Sequence, residues 1–323
     1  MNKLDNINYL ELFKKAWKIT WSNKYLWWFG LFLVLGGGFN FDFPKNFSGG
    51  EKVDKLSDSI ANFLSSHEDF VLAVIFILLF LWLAFVALGI ISRAGLLKTL
   101  DKIEKNKEGN FKIGFGEGKK YFRKLFGTGL VLGFSVFVLA FVLSVPVFLL
   151  FFMKLIIPGI IAAVLAVVIF IPLMILVCFL GKYTVFYIVL SDLGIRSSLE
   201  NGYQLFRKNI FSSIIMALFF IPINIVLFFA AVIILIIVGI IFLIIGLALY
   251  AILSNVGVVV AVILGLLILL VSFICMGSVY QVFCQTAWFL FFKEIAAVKE
   301  DEIEEIIAEK EIVEKVLPSP EEA

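Results

Sequence analysis

Four polar residues in the last apolar stretch, Ser278, Gln281, Gln285 and Thr286, are spaced so that they share roughly one face of a helix. Hydroxyl and carboxamide groups arranged in this way could line a path for a neutral or amphiphilic solute. They could also hydrogen-bond between helices, which is the commoner use. Tyr280 lies close by, and Asn224 is a further candidate for the same face. Titratable groups are scarcer. The apolar runs, of which the first is Tyr25–Phe39, hold no Asp, Glu, Lys, Arg or His, so they lack the usual parts of a proton relay or an ion pathway. Lys154 and Lys182 sit at the ends of such runs, where a long side chain reaches back to water. The one histidine, His67, stands beside Glu68 and Asp69 in a polar loop, which argues against His-dependent hydrolysis. Cys178, Cys275 and Cys284 lie in apolar segments without C-x-x-C spacing and read as packing residues. GFGEGKKY (Gly114–Tyr121) fails as a phosphate loop, because Ile113 and Lys120 occupy the places of its first Gly and its Ser or Thr. It reads instead as a flexible basic turn before an interfacial helix. These residues predict no catalytic centre, no metal site and no cofactor.

The elements that must carry these residues are membrane spans. The 323-residue chain is 62% hydrophobic and only 16% charged, and its mean hydropathy is +1.07. Soluble domains are nearer ~45–50% apolar and ~25% charged. Apolar runs long enough to cross a bilayer predict spans at about 25–43, 70–92, 127–153, 156–181, 210–244 and 257–292. The segment before the first run is too long, amphipathic and aromatic for a cleaved signal peptide. The fold class is therefore an all-α polytopic membrane protein. From Ile210 to Phe292 there are 83 residues without a charge, and Ser254-Asn255-Val256-Gly257 is the best internal break. Two long helices or four short ones in that run would return the tail to the side it left, whereas three would not.

A recurring unit precedes the spans. It is clearest at 192–211, where Ile195, Leu199, Tyr203, Phe206 and Ile210 form one helical stripe and Arg196, Glu200, Arg207 and Lys208 lie off it. Such a helix lies along the membrane surface, with Arg196, Arg207 and Lys208 among the headgroups and Tyr203 and Phe206 on the apolar side. A second copy runs through Leu10, Phe13, Trp17 and Trp21, and a looser one through Tyr121, Phe122, Leu125 and Phe126. Gly129 and Gly133 match the small-xxx-small pattern of close helix packing.

Charge gives an orientation. Residues 93–124 hold ten Lys and Arg, which the positive-inside rule places in the cytoplasm with the N-terminus. Residues 1–292 carry 23 basic against 14 acidic residues, and residues 293–323 carry 4 against 11. The basic body suits the anionic headgroups of membrane lipids. The acidic tail reads as a solvated or partner-docking amphipathic helix ending before Pro318. Nothing points to nucleic acid.

DLGIRSSLENGYQLFRKNIFSSI (192–214) resembles the signature of the integral membrane domain that precedes some bacterial glycerophosphodiester phosphodiesterases. Related six-span bacterial membrane proteins of unknown function share that signature. Gly194, Asn201, Gly202, Tyr203, Leu205, Arg207, Lys208, Asn209 and Phe211 occupy its positions. NKYLWWFGLF (23–32) resembles its first-span opening and QVFCQTAWFLFFKEI (281–295) its last span. The resemblance implies six spans in three hairpins. It carries over no activity, since these residues hold no counterpart of the soluble domain's histidines and metal-binding carboxylates. The expected function is a non-enzymatic membrane module that organises lipid or a partner protein at the cytoplasmic face of the cell membrane. The alternative is a permease-like transporter using the Ser278–Thr286 face.

Overall fold

The computed structural model describes residues 7–38 and 68–316. The polar loop with His67, the C-terminal end beyond Val316 and the end of the first predicted span fall outside those residues. Among the described residues, five helices are long and apolar enough to cross a membrane, and a shorter apolar helix, Lys24–Gly37, makes a sixth segment. The protein is an all-α polytopic membrane protein of about six spans.

α1 (Tyr9–Ser22) is capped by Asn8, whose side chain accepts the Glu11 backbone N–H at 3.2 Å. α2 (Trp27–Leu33) follows a short 3₁₀ turn and ends in a π turn, Val34–Gly38. In that turn Gly37 takes φ +123, which only glycine adopts without strain. α3 (Glu68–Glu104) returns antiparallel to α2. α4 (Phe111–Phe152) and α5 (Ile156–Leu190) form the second hairpin, reversed at Lys154 with φ +60. α6 (Ile195–Lys208) precedes the third hairpin, α7 (Ile210–Leu253) and α8 (Asn255–Val316). The long uncharged run thus resolves into two helices, broken at Ser254 with φ +54.

The hairpins are joined at one charged end, the base. Its core is aromatic, built from Phe29, Phe179, Tyr183, Phe186, Phe206, Phe220, Trp288, Phe289, Phe291 and Phe292. Tyr183 Oη and Ser213 Oγ share a buried hydrogen bond of 2.6 Å between α5 and α7. Lys124 clamps the turn between α5 and α6 by donating to the Asp192 carboxylate at 2.8 Å. That hydrogen bond, and then the ammonium charge, hold the exposed Asp192 carboxyl below its ordinary range. Away from the base, residues such as Phe80, Phe134, Phe148, Val226 and Leu243 point outward, as surface covered by lipid must.

Two local expectations are corrected. Gly114–Tyr121 is not a turn: it is helix from Phe111, continuous with the span, because Gly114 and Gly118 let α4 press onto Gly95 of α3. Gly129 and Gly133 do not mediate close packing, since a Cβ at either would meet nothing within 4 Å. The interfacial stripes leave most of their large residues exposed. In α1 the buried face is Leu12, Ala16 and Thr20, while Leu10, Trp17 and Trp21 are exposed. In α6 it is Ser198, Gly202, Leu205 and Phe206, while Tyr203, and Ile210 at the start of α7, are exposed. Small residues such as Ala16 and Gly202 permit close approach to the protein, with Leu12, Leu205 and Phe206 packed beside them.

Candidate functional site

On the Ser278–Thr286 face, Ser278 reaches another helix while Thr286 bonds within its own. Ser278 Oγ donates to the carbonyl oxygen of Trp27, pinning α2 to α8 where Gly30 presses on the Ser278 backbone. Thr286 is buried and its Oγ1 donates to the Val282 carbonyl at 2.7 Å. Gln281 and Gln285 are half-buried on the same helix. Tyr280 donates across to Asn224 Oδ1 at 2.6 Å, joining α8 to α7 within the spans. The structure therefore brings Tyr280 and Asn224 together, whereas Ser278 and Thr286 serve separate contacts.

The interfacial residues of α6 also divide. Arg196 is exposed and pairs with Glu200 at 3.1 Å. Arg207 and Lys208 lie exposed in the last turn, where cations suit the helix dipole. Tyr203 is exposed, but Phe206 turns inward and stacks on Phe179 at 5.1 Å with an interplanar angle of 17°.

The feature that single-residue reading missed is a cavity of about 530 Å³ between α3, α4 and α5. Its walls are mostly apolar, with Val86 and Ile90 from α3, Leu130 and Leu132 from α4, and Val177 from α5. Two cations, Arg93 and Lys182, line it as well. α3 and α5 both run toward the base, and each of these residues is the first charge after its apolar run, so both arrive at the same region. That shared position was the available signal. Taken singly, each residue is explained by a side chain reaching for water, and nothing in the spacing says that two such residues, far apart in sequence, meet.

Several lysines of the base pair with its own carboxylates. Lys102 meets Glu117 at 2.8 Å, Lys105 meets Asp101 at 2.8 Å, and Lys293 bridges Asp101 at 2.9 Å and Glu104 at 2.7 Å. Among the described residues, neither Arg93 nor Lys182 has a carboxylate partner. Lys182 Nζ rests 3.8 Å from the centroid of the Trp288 ring, a cation–π contact that attracts the ammonium without neutralising it. Arg93 Nε is buried and has no hydrogen-bond partner. The arrangement is a desolvated donor and a nearby ammonium in an apolar cleft, suited to an anion with an apolar body.

Residues 19–296 match the model of a family of unknown function, DUF7544, and the chain belongs to that family. The matched region runs from the second half of α1 to the base end of α8, and it includes both cavity cations. No curated protein and no solved structure matches the chain.

Proposed function

We propose that the protein is a non-enzymatic membrane module that organises anionic lipid at the cytoplasmic face of the cell membrane. The observation carrying this reading is an apolar cleft lined by two cations, Arg93 and Lys182, that have no carboxylate partner among the described residues, beside a base in which Lys102, Lys105 and Lys293 are paired. The basic content of residues 93–124 sets the orientation, with the N-terminus cytoplasmic. The acidic tail, repelled by the same headgroups, is assigned to water or to a protein partner. The resemblance to the membrane domain of glycerophosphodiester phosphodiesterases, carried by residues 23–32, 192–214 and 281–295, brings no activity with it. A permease-like path for a neutral solute is the weaker reading, because Ser278 and Thr286 already donate to backbone carbonyls.

Lipid extracted from the full-length protein, purified in mild detergent, tests this. Phospholipids that carry net negative charge are expected to be enriched severalfold over the source membrane. A lipid profile equal to the bulk membrane would overturn the proposal. The orientation has its own check: reporters fused at each end are expected to signal from the cytoplasm, and a reporter signalling from the other side would refute that topology.

A further inference from the structure

We infer that Arg93 and Lys182 together hold the phosphate of one anionic phospholipid, whose acyl chains lie along the apolar wall of the cavity between α3, α4 and α5. This deepens the lipid-organising reading and rests on it.

The argument begins with charge. An ammonium and a guanidinium lining one cleft repel each other, and low-dielectric surroundings strengthen that repulsion. A buried donor without an acceptor, as at Arg93 Nε, carries its full desolvation penalty. Among the described residues no carboxylate pairs with either cation, and Asp101, Glu104 and Glu117 are already engaged by Lys105, Lys293 and Lys102. The missing partner is therefore an anion from outside the chain.

The two residue types narrow its chemistry. Guanidinium supplies a planar fork of donors and ammonium a point charge, a pair suited to the several oxygens of one phosphate. The walls settle the source. Val86, Ile90, Leu130 and Val177 continue from the cations along the lipid-covered part of the helices. A free phosphate would leave these walls unfilled and would have to give up its hydration to enter. A phospholipid arrives with its phosphate already at headgroup depth and covers the walls with its chains. Trp288 holds Lys182 from the protein side, so the ammonium is positioned before the lipid arrives.

Native mass spectrometry of the full-length protein, titrated with dioleoyl phosphatidylglycerol, tests the site. One adduct is expected to survive at activation energies that strip the others. Dioleoyl phosphatidylcholine should give no such adduct. Arg93→Gln and Lys182→Gln should each weaken the adduct about tenfold or more, the loss expected when a charge-assisted hydrogen bond is removed. Gly129→Leu provides a variant that keeps both charges. Gly129 lines the cavity and a Cβ there meets nothing within 4 Å, so leucine can occupy the cleft without displacing backbone. It should also remove the adduct.

A melting experiment guards against misfolding. Phosphatidylglycerol should raise the unfolding temperature of the wild type, because it binds the folded state. It should leave all three variants unmoved, while in lipid-free detergent Arg93→Gln should be no less stable than the wild type. Displacement of the adduct by inorganic phosphate or glycerol phosphate at equal concentration would overturn the lipid assignment. Retention of the adduct in the charge variants, with anionic lipid still enriched on the purified protein, would overturn the site but leave the general reading standing. Absence of any preference for anionic lipid in the wild type would overturn both.

Discussion

Replacing Gly118 with leucine is expected to abolish recovery of folded, monodisperse protein from detergent extracts. A Cβ at this position would collide with the Ile91 carbonyl oxygen and would lie 2.8 Å from Gly95 N and 3.1 Å from Gly95 Cα. All three are backbone atoms of α3, so no rotamer change can make room. Overpacking typically costs ~1–3 kcal/mol when side chains can shift. Here whole helices must part, and the cost should exceed that range against a total stability of about 5–15 kcal/mol. The crossing has little slack elsewhere, since a Cβ at Gly95 would lie 2.7 Å from the Gly114 carbonyl oxygen. Gly116→Ala is the control on the same helix. A Cβ there meets nothing within 4 Å, and exchanging glycine for alanine in a helix gains about 0.5–1 kcal/mol. Fluorescence-detected size exclusion with a thermal ramp reads both variants. Normal yield and unfolding temperature for Gly118→Leu would refute the close crossing of α3 and α4.

That crossing shows where the sequence was silent. Gly114, Gly116 and Gly118 look alike in a string, and a cluster of glycines next to lysines is an ordinary turn signal. What separates them is Gly95, on a helix whose pairing with α4 the string does not announce. Gly129 and Gly133 carried the usual packing spacing and pack against nothing within 4 Å. Breaks at Lys154 and Ser254 were legible because a change of direction between long apolar helices needs a polar residue tolerant of positive φ.

The amphipathic stripes do not say which of their residues meet the protein. A soluble helix has one apolar destination, so its large apolar residues mark the protein side. A helix at a membrane interface has two such destinations, the protein and the bilayer, so apolar residues lie on both of its sides. Ala16 and Gly202 face the protein, while Trp17 and Tyr203 do not. The same blindness hid the cavity. Arg93 and Lys182 each obey the local rule for the end of a span, and only the packing of α3 beside α5 makes them a pair.

Trp288→Ala is expected to lower the unfolding temperature more than any other single truncation of the base. The indole is 3% exposed, stacks on Phe220 of α7 at 5.9 Å, and meets the edges of Phe179 of α5 and Phe291 of α8 at 5.8 Å each. One side chain therefore fills the junction of three helices, two of which belong to different hairpins. Truncating a buried tryptophan costs about 3–5 kcal/mol, and each well-placed aromatic pair adds about 0.5–1.5 kcal/mol beyond its buried area. Trp288→Phe, which retains a ring but not its full area, should lose less than half as much. The ring also seats Lys182, so the two residues should not behave independently. A cycle of Trp288→Ala, Lys182→Met and the double variant should give a coupling of about 0.5–2 kcal/mol. Additive losses would mean that the ammonium draws nothing from the ring. An unfolding temperature for Trp288→Ala equal to that of the wild type would show that the hairpins are joined by contacts other than this aromatic junction.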